Sequence, residues 1–315
     1  MKHVQLENLQ TGELGRTVLT IGNFDGVHRG HQQILRRVRA VADEKKLPAA
    51  VITFEPHPLK VLNPEKGVRM IFPYAERERR LADSGIDVMI TEQFTVELSQ
   101  TPAEKWVVEA LVDLLRVDTL IMGYDFSFGR GADGDAQQLI QLGRRFGFAT
   151  EQVPALVVDG RPISSSRIRR LIEAGEVSIA LNLLGRPFHV RGTVIHGDGR
   201  GGQIGFPTAN LDVEADLLPH VGVYGAVAVV GGKAYGAAVN VGNNPTFDLT
   251  DLRVEAHLLD FSGELHGQPM DLHFLRRWRD ERKFASVEQL VSAMNRDIDK
   301  TKQLFVDQKP EEWLS

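Results

Sequence analysis

The 315-residue chain predicts an α/β doubly wound parallel sheet followed by an antiparallel β-barrel domain with a C-terminal helix. Three observations lead there. In the first half, apolar runs of strand length alternate with segments of helical spacing, the pattern of βα units on a parallel sheet. After Arg186-Pro187 the helical segments stop, and short β-rich runs separated by glycine turns replace them. A final amphipathic segment spans residues 286–305. The change of texture puts a domain boundary near residue 186, with one domain over 1–186 and another over 187–315.

Composition narrows the function. Cys is absent, which excludes disulfides, thiolate metal sites and cysteine nucleophiles. The start MKHVQLENLQ is too polar for a signal peptide, and no apolar run is long enough to span a bilayer. A cytoplasmic protein without a membrane partner is expected. The net charge is −5, and from Pro187 onward 13 Lys+Arg face 18 Asp+Glu. Neither half has the basic excess of a nucleic-acid binder, and the run Arg36, Arg37, Arg39 reads as the solvated face of a helix. A monomer or weak homo-oligomer is expected.

In chain order, residues 17–21 (TVLTI) read as a buried strand, and Ile34, Leu35 and Val38 as one face of a helix. Between them lies IGNFDGVHRGHQ. Gly22, Gly26 and Gly30 allow close backbone approach, and His28 and His31 share one side of the first helical turn. Free N–H groups, the positive end of a helix dipole and two imidazoles suit phosphate oxygens; a purely structural glycine turn is the competing reading. Residues 49–54 read as a strand closed by the loop Glu55-Pro56-His57-Pro58, at the strand edge where ligands sit. A helix (74–84), strand (87–91), helix (102–115) and strand (119–122) follow. The last runs into Gly123-Tyr124-Asp125-Phe126-Ser127-Phe128-Gly129, and a helix (136–145) and strand (150–153) complete the alternation. Ser164, Ser165 and Ser166 are N-cap residues that place Arg167 in a first helical turn. There its charge opposes the helix dipole, so either a bound polyphosphate or plain solvent answers it.

In the second half, strands are expected over 188–196, 221–230, 234–241, 253–261 and 270–275, with Gly231-Gly232 as a hairpin turn. GDGRGGQIGFPTAN contains a formal G-x-G-x-x-G, but Phe206-Pro207 blocks the helix that a dinucleotide fingerprint must open. Thr208 and Asn210 then share one side of an extended segment. They read either as hard-oxygen ligands for Mg²⁺ beside a nucleotide phosphate or as an ordinary turn with a capping Asn. Residues 240–247 read as a polar loop. Glu255 and His257 face away from Val254, Ala256 and Leu258, and Glu255 is either a solvated carboxylate or a base for a hydroxyl.

With GNFDGVHRGH, FEPHP, GYDFSFG, ISSSRIR, GFPTAN, GVYG, NNPTF and VEAHLLDF in this order, the chain resembles the prokaryotic bifunctional riboflavin kinase/FMN adenylyltransferase (FAD synthetase) family over essentially its whole length. The resemblance implies a nucleotidyltransferase-like Rossmann domain and a six-stranded riboflavin kinase barrel, using ATP, riboflavin and FMN as substrates with Mg²⁺. It implies that His28 and His31 stabilise charge on the ATP α-phosphate. Ser164, Ser165 and Arg167 would hold the departing phosphates, with Gly22, Asn23 and Phe24 at the nucleotide. His57 and Asp125 would lie on the flavin side. In the barrel it implies Glu255 as base, Thr208 and Asn210 as metal ligands, Gly199, Gly201 and Gly205 at ATP, and Asn244 and Arg276 at the flavin. Ser127 and Gly202 stand where the family often has a positive charge, and Ser166 where it often has threonine. One alternative is that only one half is active; a rival from another class is a flavin-binding or regulatory protein without turnover, which needs tight binding but no base, so Glu255 together with both histidines favours the enzyme.

Overall fold

The computed structural model describes residues 1–197, 201, 204–243 and 252–314. They form two compact units, one of residues 1–69 and 74–164, the other of residues 70–73 and 165 onward. The first contains strands β1 (Lys2–Gln5), β2 (Val18–Ile21), β3 (Ala49–Glu55), β4 (Val88–Gln93) and β5 (Thr119–Met122). A small ladder of β6 (Ser127–Phe128) and β7 (Gly134–Asp135) precedes β8 (Ala149–Gln152). Among the described residues the main sheet has the order β1-β4-β3-β2-β5-β8, with every pairing parallel. Its order reverses between β2 and β5, so the loops leaving these two strands flank the crevice where doubly wound sheets bind ligands.

Both faces of the sheet are covered, as strand alternation requires. Leu19, Ile52, Ile90 and Leu120 pack with Leu111 on one face. Val18, Val51, Met89 and Ile121 pack with Leu35 and Val38 of α1 (Arg29–Lys45) on the other. Three local expectations are corrected. The loop expected at Glu55-Pro56-His57-Pro58 already turns into α2 (Pro58–Leu62), because proline at the first helical position gives up only an N–H with no intrahelical partner. After α3 (Tyr74–Asp83) and the short α4 (Val96–Ser99), the helix expected over 102–115 is only partly α-helical. It begins as α5 (Ala103–Trp106) and widens into π-type turns over Val107–Leu114, ending where Leu115 N–H donates to Ala110 O at 3.0 Å. β1 was not expected, since three of its four residues are exposed and its pattern is polar.

At the opposite edge of the sheet, the buried Asp118 carboxylate pairs with Lys45 (2.5 Å) and Arg16 (2.5 Å). Burial raises its pKa, but hydrogen bonds from Lys45 and Thr119 and the charges of Lys45 and Arg16 overcome this and hold it below the ordinary 3.8. Its contribution is therefore present above that value and lost as pH falls through the lowered one. Asp118→Asn is expected to cost about 1–3 kcal/mol at neutral pH, read as a lower urea midpoint.

α6 (Ala136–Phe146) and the ladder of β9 (Val157–Val158) with β10 (Arg161–Pro162) complete the first unit. The second opens with α7 (Ser165–Glu173) and α8 (Val177–Leu184), so by packing the division falls at Ser164/Ser165, ahead of the change in sequence texture near 186. The cause is α8, whose buried Val177, Ala180, Leu183 and Leu184 lie on the side packed with β11 and β16. Strands β11 (Phe188–Ile195), β12 (Ala209–Val213), β13 (Gly222–Val230), β14 (Lys233–Asn243), β15 (Leu252–Leu258) and β16 (Pro269–Arg279) close a barrel in the order β11-β12-β15-β14-β13-β16. Gly231 and Gly232, both at positive φ (56° and 75°), make the expected two-residue hairpin. β14 extends through Asn243, so the strand expected over 234–241 runs two residues further into the expected polar loop; residues 244–247 lie outside the described residues. α9 (Val287–Gln303) follows, its Ser286 hydroxyl capping Gln289 N–H at 3.4 Å.

Candidate functional site

The turn after β2 is held from several sides. Gly22 N–H donates to Ile52 O (3.0 Å), and the chain then reverses through Phe24 (φ 49°) and Gly26 (φ 79°). His28 caps α1: its Nδ1 accepts the His31 backbone N–H at 3.2 Å. In the neutral ring the proton therefore sits on Nε2, where it can be donated to an oxyanion. The two imidazoles stack with centroids 3.6 Å apart, and the Phe24 ring meets His31 edge-on at 5.2 Å. His28 is 4% exposed and His31 half-buried, so His31 is the more open of the pair. A Cβ on Gly30 would lie 3.2 Å from the His28 ring.

Arg77 of α3 was not singled out from the sequence. It is 4% exposed and donates to Asn23 O (3.0 Å), Phe54 O (3.4 Å) and Glu55 (2.7 Å), tying the ends of β2 and β3 together. The Asn23 side-chain oxygen is buried with no hydrogen-bond partner among the described residues, so this expected nucleotide position presents an unused acceptor. His57 is buried and its Nδ1 accepts Leu59 N–H at 3.1 Å, making it the cap of α2. Asp125, beyond β5, is exposed, its Oδ1 3.5 Å from where a Gly123 Cβ would lie. Ser164 ends the first unit; Ser165 and Arg167, both half-buried, lie in the first turn of α7 in the second.

Also missed was Glu92, near the end of β4, which accepts the Trp106 indole N–H at 2.9 and 3.2 Å. Burial raises its pKa from 4.5 to about 7, against the opposing indole hydrogen bond. With the folded value above the ordinary one, its stabilising contribution is complete below pH 4.5 and lost as pH rises through about 7. Glu92→Gln is expected to remove about 3 kcal/mol of pH dependence, seen as melts that differ less from wild type in acid than at alkaline pH.

In the barrel, Glu255 of β15 stands directly across from Asn210 of β12 on one side and Asn240 of β14 on the other. The three thus form a row on the face opposite the buried Val254, Ala256 and Leu258. Arg253 Nη1 lies 3.4 Å from Glu255 Oε1. Asn240 lies where the strand expected over 234–241 overlaps the polar loop expected over 240–247. Asn210 is 8% exposed, and a Cβ on Gly197 would meet its Nδ2 at 1.9 Å, so the chain entering the glycine loop lies directly over it. Thr208 Oγ1 lies 3.2 Å from where a Gly201 Cβ would be, and Gly201 O accepts Phe206 N–H at 2.8 Å. Gly205 is exposed at φ 88°. Arg276 is exposed on β16, its guanidinium 5.8 Å over the Trp278 ring. Gly199, Gly202 and Asn244 lie outside the described residues. Gly197→Ala is expected to displace Asn210 and raise the KM for ATP in riboflavin phosphorylation roughly tenfold, without changing FAD formation from FMN.

Comparison with known proteins also gives two separate matches along the chain. The model of the family described as FAD synthetase matches residues 10–167, and that described as riboflavin kinase matches residues 184–305. A bifunctional riboflavin kinase/FMN adenylyltransferase of Listeria monocytogenes is 36% identical over 91% of this chain and 92% of its own. The Escherichia coli K12 protein of the same name is 34% identical over 97% of this chain and 98% of its own. A crystal structure from Streptococcus pneumoniae, described as a macrolide-efflux protein, superposes with a TM-score of 0.88 at 31% identity, covering 96% of this chain and 99% of that one. Among the described residues of the present chain, no helix is long and apolar enough to cross a membrane. At this identity over nearly the full length, with both halves matched by their own models, the chain belongs to the bifunctional riboflavin kinase/FMN adenylyltransferase family and is an enzyme that makes FMN from riboflavin and FAD from FMN.

Proposed function

We propose that the two reactions use separate residue sets, adenylyl transfer in a domain of residues 1–186 and riboflavin phosphorylation in one of residues 187–315. The observation that supports this most directly is the row Asn210–Glu255–Asn240 on the barrel, in a different compact unit from the stacked His28 and His31. In the kinase reaction Glu255 takes the proton of the ribityl 5′-hydroxyl, whose oxygen attacks the γ-phosphorus of ATP as ADP departs. In the second reaction an FMN phosphate oxygen attacks the α-phosphorus and pyrophosphate departs. His28 and His31 donate to the developing charge, Ser164, Ser165 and Arg167 hold the leaving phosphates, and Gly22, Asn23 and Phe24 line the nucleotide. His57, Asp125, Asn244 and Arg276 serve the flavins, and Gly199, Gly201 and Gly205 serve the ATP of the kinase.

Both are in-line displacements at phosphorus, where positioning and charge neutralisation do most of the work. Enzymes of this ATP-using kind need a divalent metal. The Thr208 hydroxyl and the buried Asn210 amide oxygen form a hard-oxygen donor pair that fits Mg²⁺. When bound, Mg²⁺ would neutralise phosphate charge. The proposal extends to a cytoplasmic enzyme acting on small molecules as a monomer or weak homo-oligomer. Incubation with riboflavin, ATP and Mg²⁺ followed by separation of the flavins should give FMN and then FAD. Accumulation of neither would refute the assignment.

A further inference from the structure

One half-buried titratable group at the ligand edge of the parallel sheet has no part in the chemistry above. Glu92 shares a face of β4 with Val88 and Ile90 and stands in register beside Phe54. Both its oxygens accept the Trp106 indole N–H. Trp106 packs on Phe128 with centroids 6.3 Å apart, and Phe128 on Phe126 at 5.3 Å. The segment carrying these rings is clamped to the same helix start at its far end. Arg130 N–H donates to Thr101 O at 3.0 Å, and a Cβ on Gly129 or Gly134 would come within 2.7 Å of the Ala103 Cβ. Residues 101–106 and 126–134 are thus one packed body, with Glu92 as its polar anchor and Asp125 next to it in the chain.

We propose that Glu92 is a positioning residue for adenylyl transfer, holding the Trp106 indole so that the Phe126–Phe128 wall stays in place for FMN. This rests on the reading above that the segment around Asp125 serves the flavin substrate. The charged groups of the surrounding elements pair with other groups or face solvent, with Glu97 of α4 and Arg130 and Asp133 of the ring-bearing segment exposed. Glu55 of β3 pairs with Arg77 at 2.7 Å, and His3 and Lys2 of β1 lie at 3.2 and 3.1 Å from Glu78 and Glu13. Around α5, Glu104 pairs with Arg145 at 2.6 Å and Lys105 lies 3.8 Å from Glu109, while Glu7 and Asp113 are exposed. Burial and the indole alone therefore set the titration of Glu92 near 7. Ionisation leaves a charge in the packed wall with a single N–H donor; water enters and the wall loosens. If only the neutral form holds it, the competent fraction one pH unit above the midpoint is about one tenth, and the KM for FMN rises by up to about tenfold.

The test is KM for FMN and for ATP in adenylyl transfer from about pH 6 to about pH 8, in wild type, Glu92→Gln, Trp106→Phe and Asp125→Ala. Glu92→Gln keeps an acceptor for the indole but does not titrate. Ionisations of FMN, ATP and the histidines are common to both proteins and cancel in the ratio. The wild-type to Glu92→Gln ratio of KM for FMN should climb from near unity towards tenfold, while the ratio for ATP stays constant. Trp106→Phe should raise KM for FMN at every pH and abolish the climb. Riboflavin phosphorylation by the same preparations should be unaltered, and an unchanged KM for ATP in adenylyl transfer reports that the unit carrying each substitution is folded. A flat FMN ratio, or an equal climb for ATP, would overturn the proposal. If Asp125→Ala leaves KM for FMN unchanged, the assignment of that segment to the flavin falls, and the role of Glu92 with it.

Discussion

Replacing Glu255 by Gln is expected to lower riboflavin phosphorylation by about 10²–10⁴-fold, the range for loss of a general base, while FAD formation from supplied FMN continues at the wild-type rate. The substitution is close to isosteric, so the cross-strand row with Asn210 and Asn240 keeps its packing. What disappears is the carboxylate that accepts the proton, so the loss should fall on kcat more than on KM for ATP or riboflavin. Arg253, 3.4 Å from Glu255, loses its ionic partner there but is itself partly exposed and can turn to water. Flavin separation after incubation with riboflavin, or with FMN, distinguishes the two activities in one preparation. Loss of FAD formation from FMN as well would mean that Glu255 acts on the fold rather than on one reaction.

His31→Ala should do the reverse. Removing one charge-assisted contact costs about 1.5–3 kcal/mol, or roughly ten- to a hundred-fold in rate, in FAD formation alone. The cap on α1 survives, because it uses the backbone N–H of residue 31 and the His28 ring. The variant therefore loses a side-chain donor without losing the helix start. The contact with Phe24 and the stack on His28 also go, so some drift of the His28 ring contributes to the loss. An amide donor retained in His31→Asn should recover part of the rate, which a purely structural role for the ring would not predict.

The strand, turn and helix around His28 were legible because several signals coincide there: a short apolar run, glycines, then residues of helical spacing. The barrel was legible from its glycine turns, although β12 is framed by Pro207 and a glycine-rich stretch that hide its strand character. What sequence could not supply were partnerships across long separations. Arg77 sits in the charge run AERERR and has nothing local to distinguish it from the solvated arginines beside it, yet it is buried and joins two strand ends. Glu92 and Trp106 meet only because Trp106, at the end of α5, packs in the same core as Val88 and Ile90 of β4. Asn240 became visible only with the register of β14 against β15. The domain boundary taken from texture follows the change from helices to strands, whereas packing assigns α7 and α8 to the barrel's unit through their buried apolar residues.

Two phosphate-transfer centres that work independently should complement each other when disabled on different molecules. Glu255→Gln and His31→Ala proteins, each incubated with riboflavin, ATP and Mg²⁺, should yield little FAD alone. An equimolar mixture should restore it, with FMN released by the second variant and taken up by the first. A mixture that forms no more FAD than the separate proteins, with each variant having lost both activities, would contradict two separate centres on this chain.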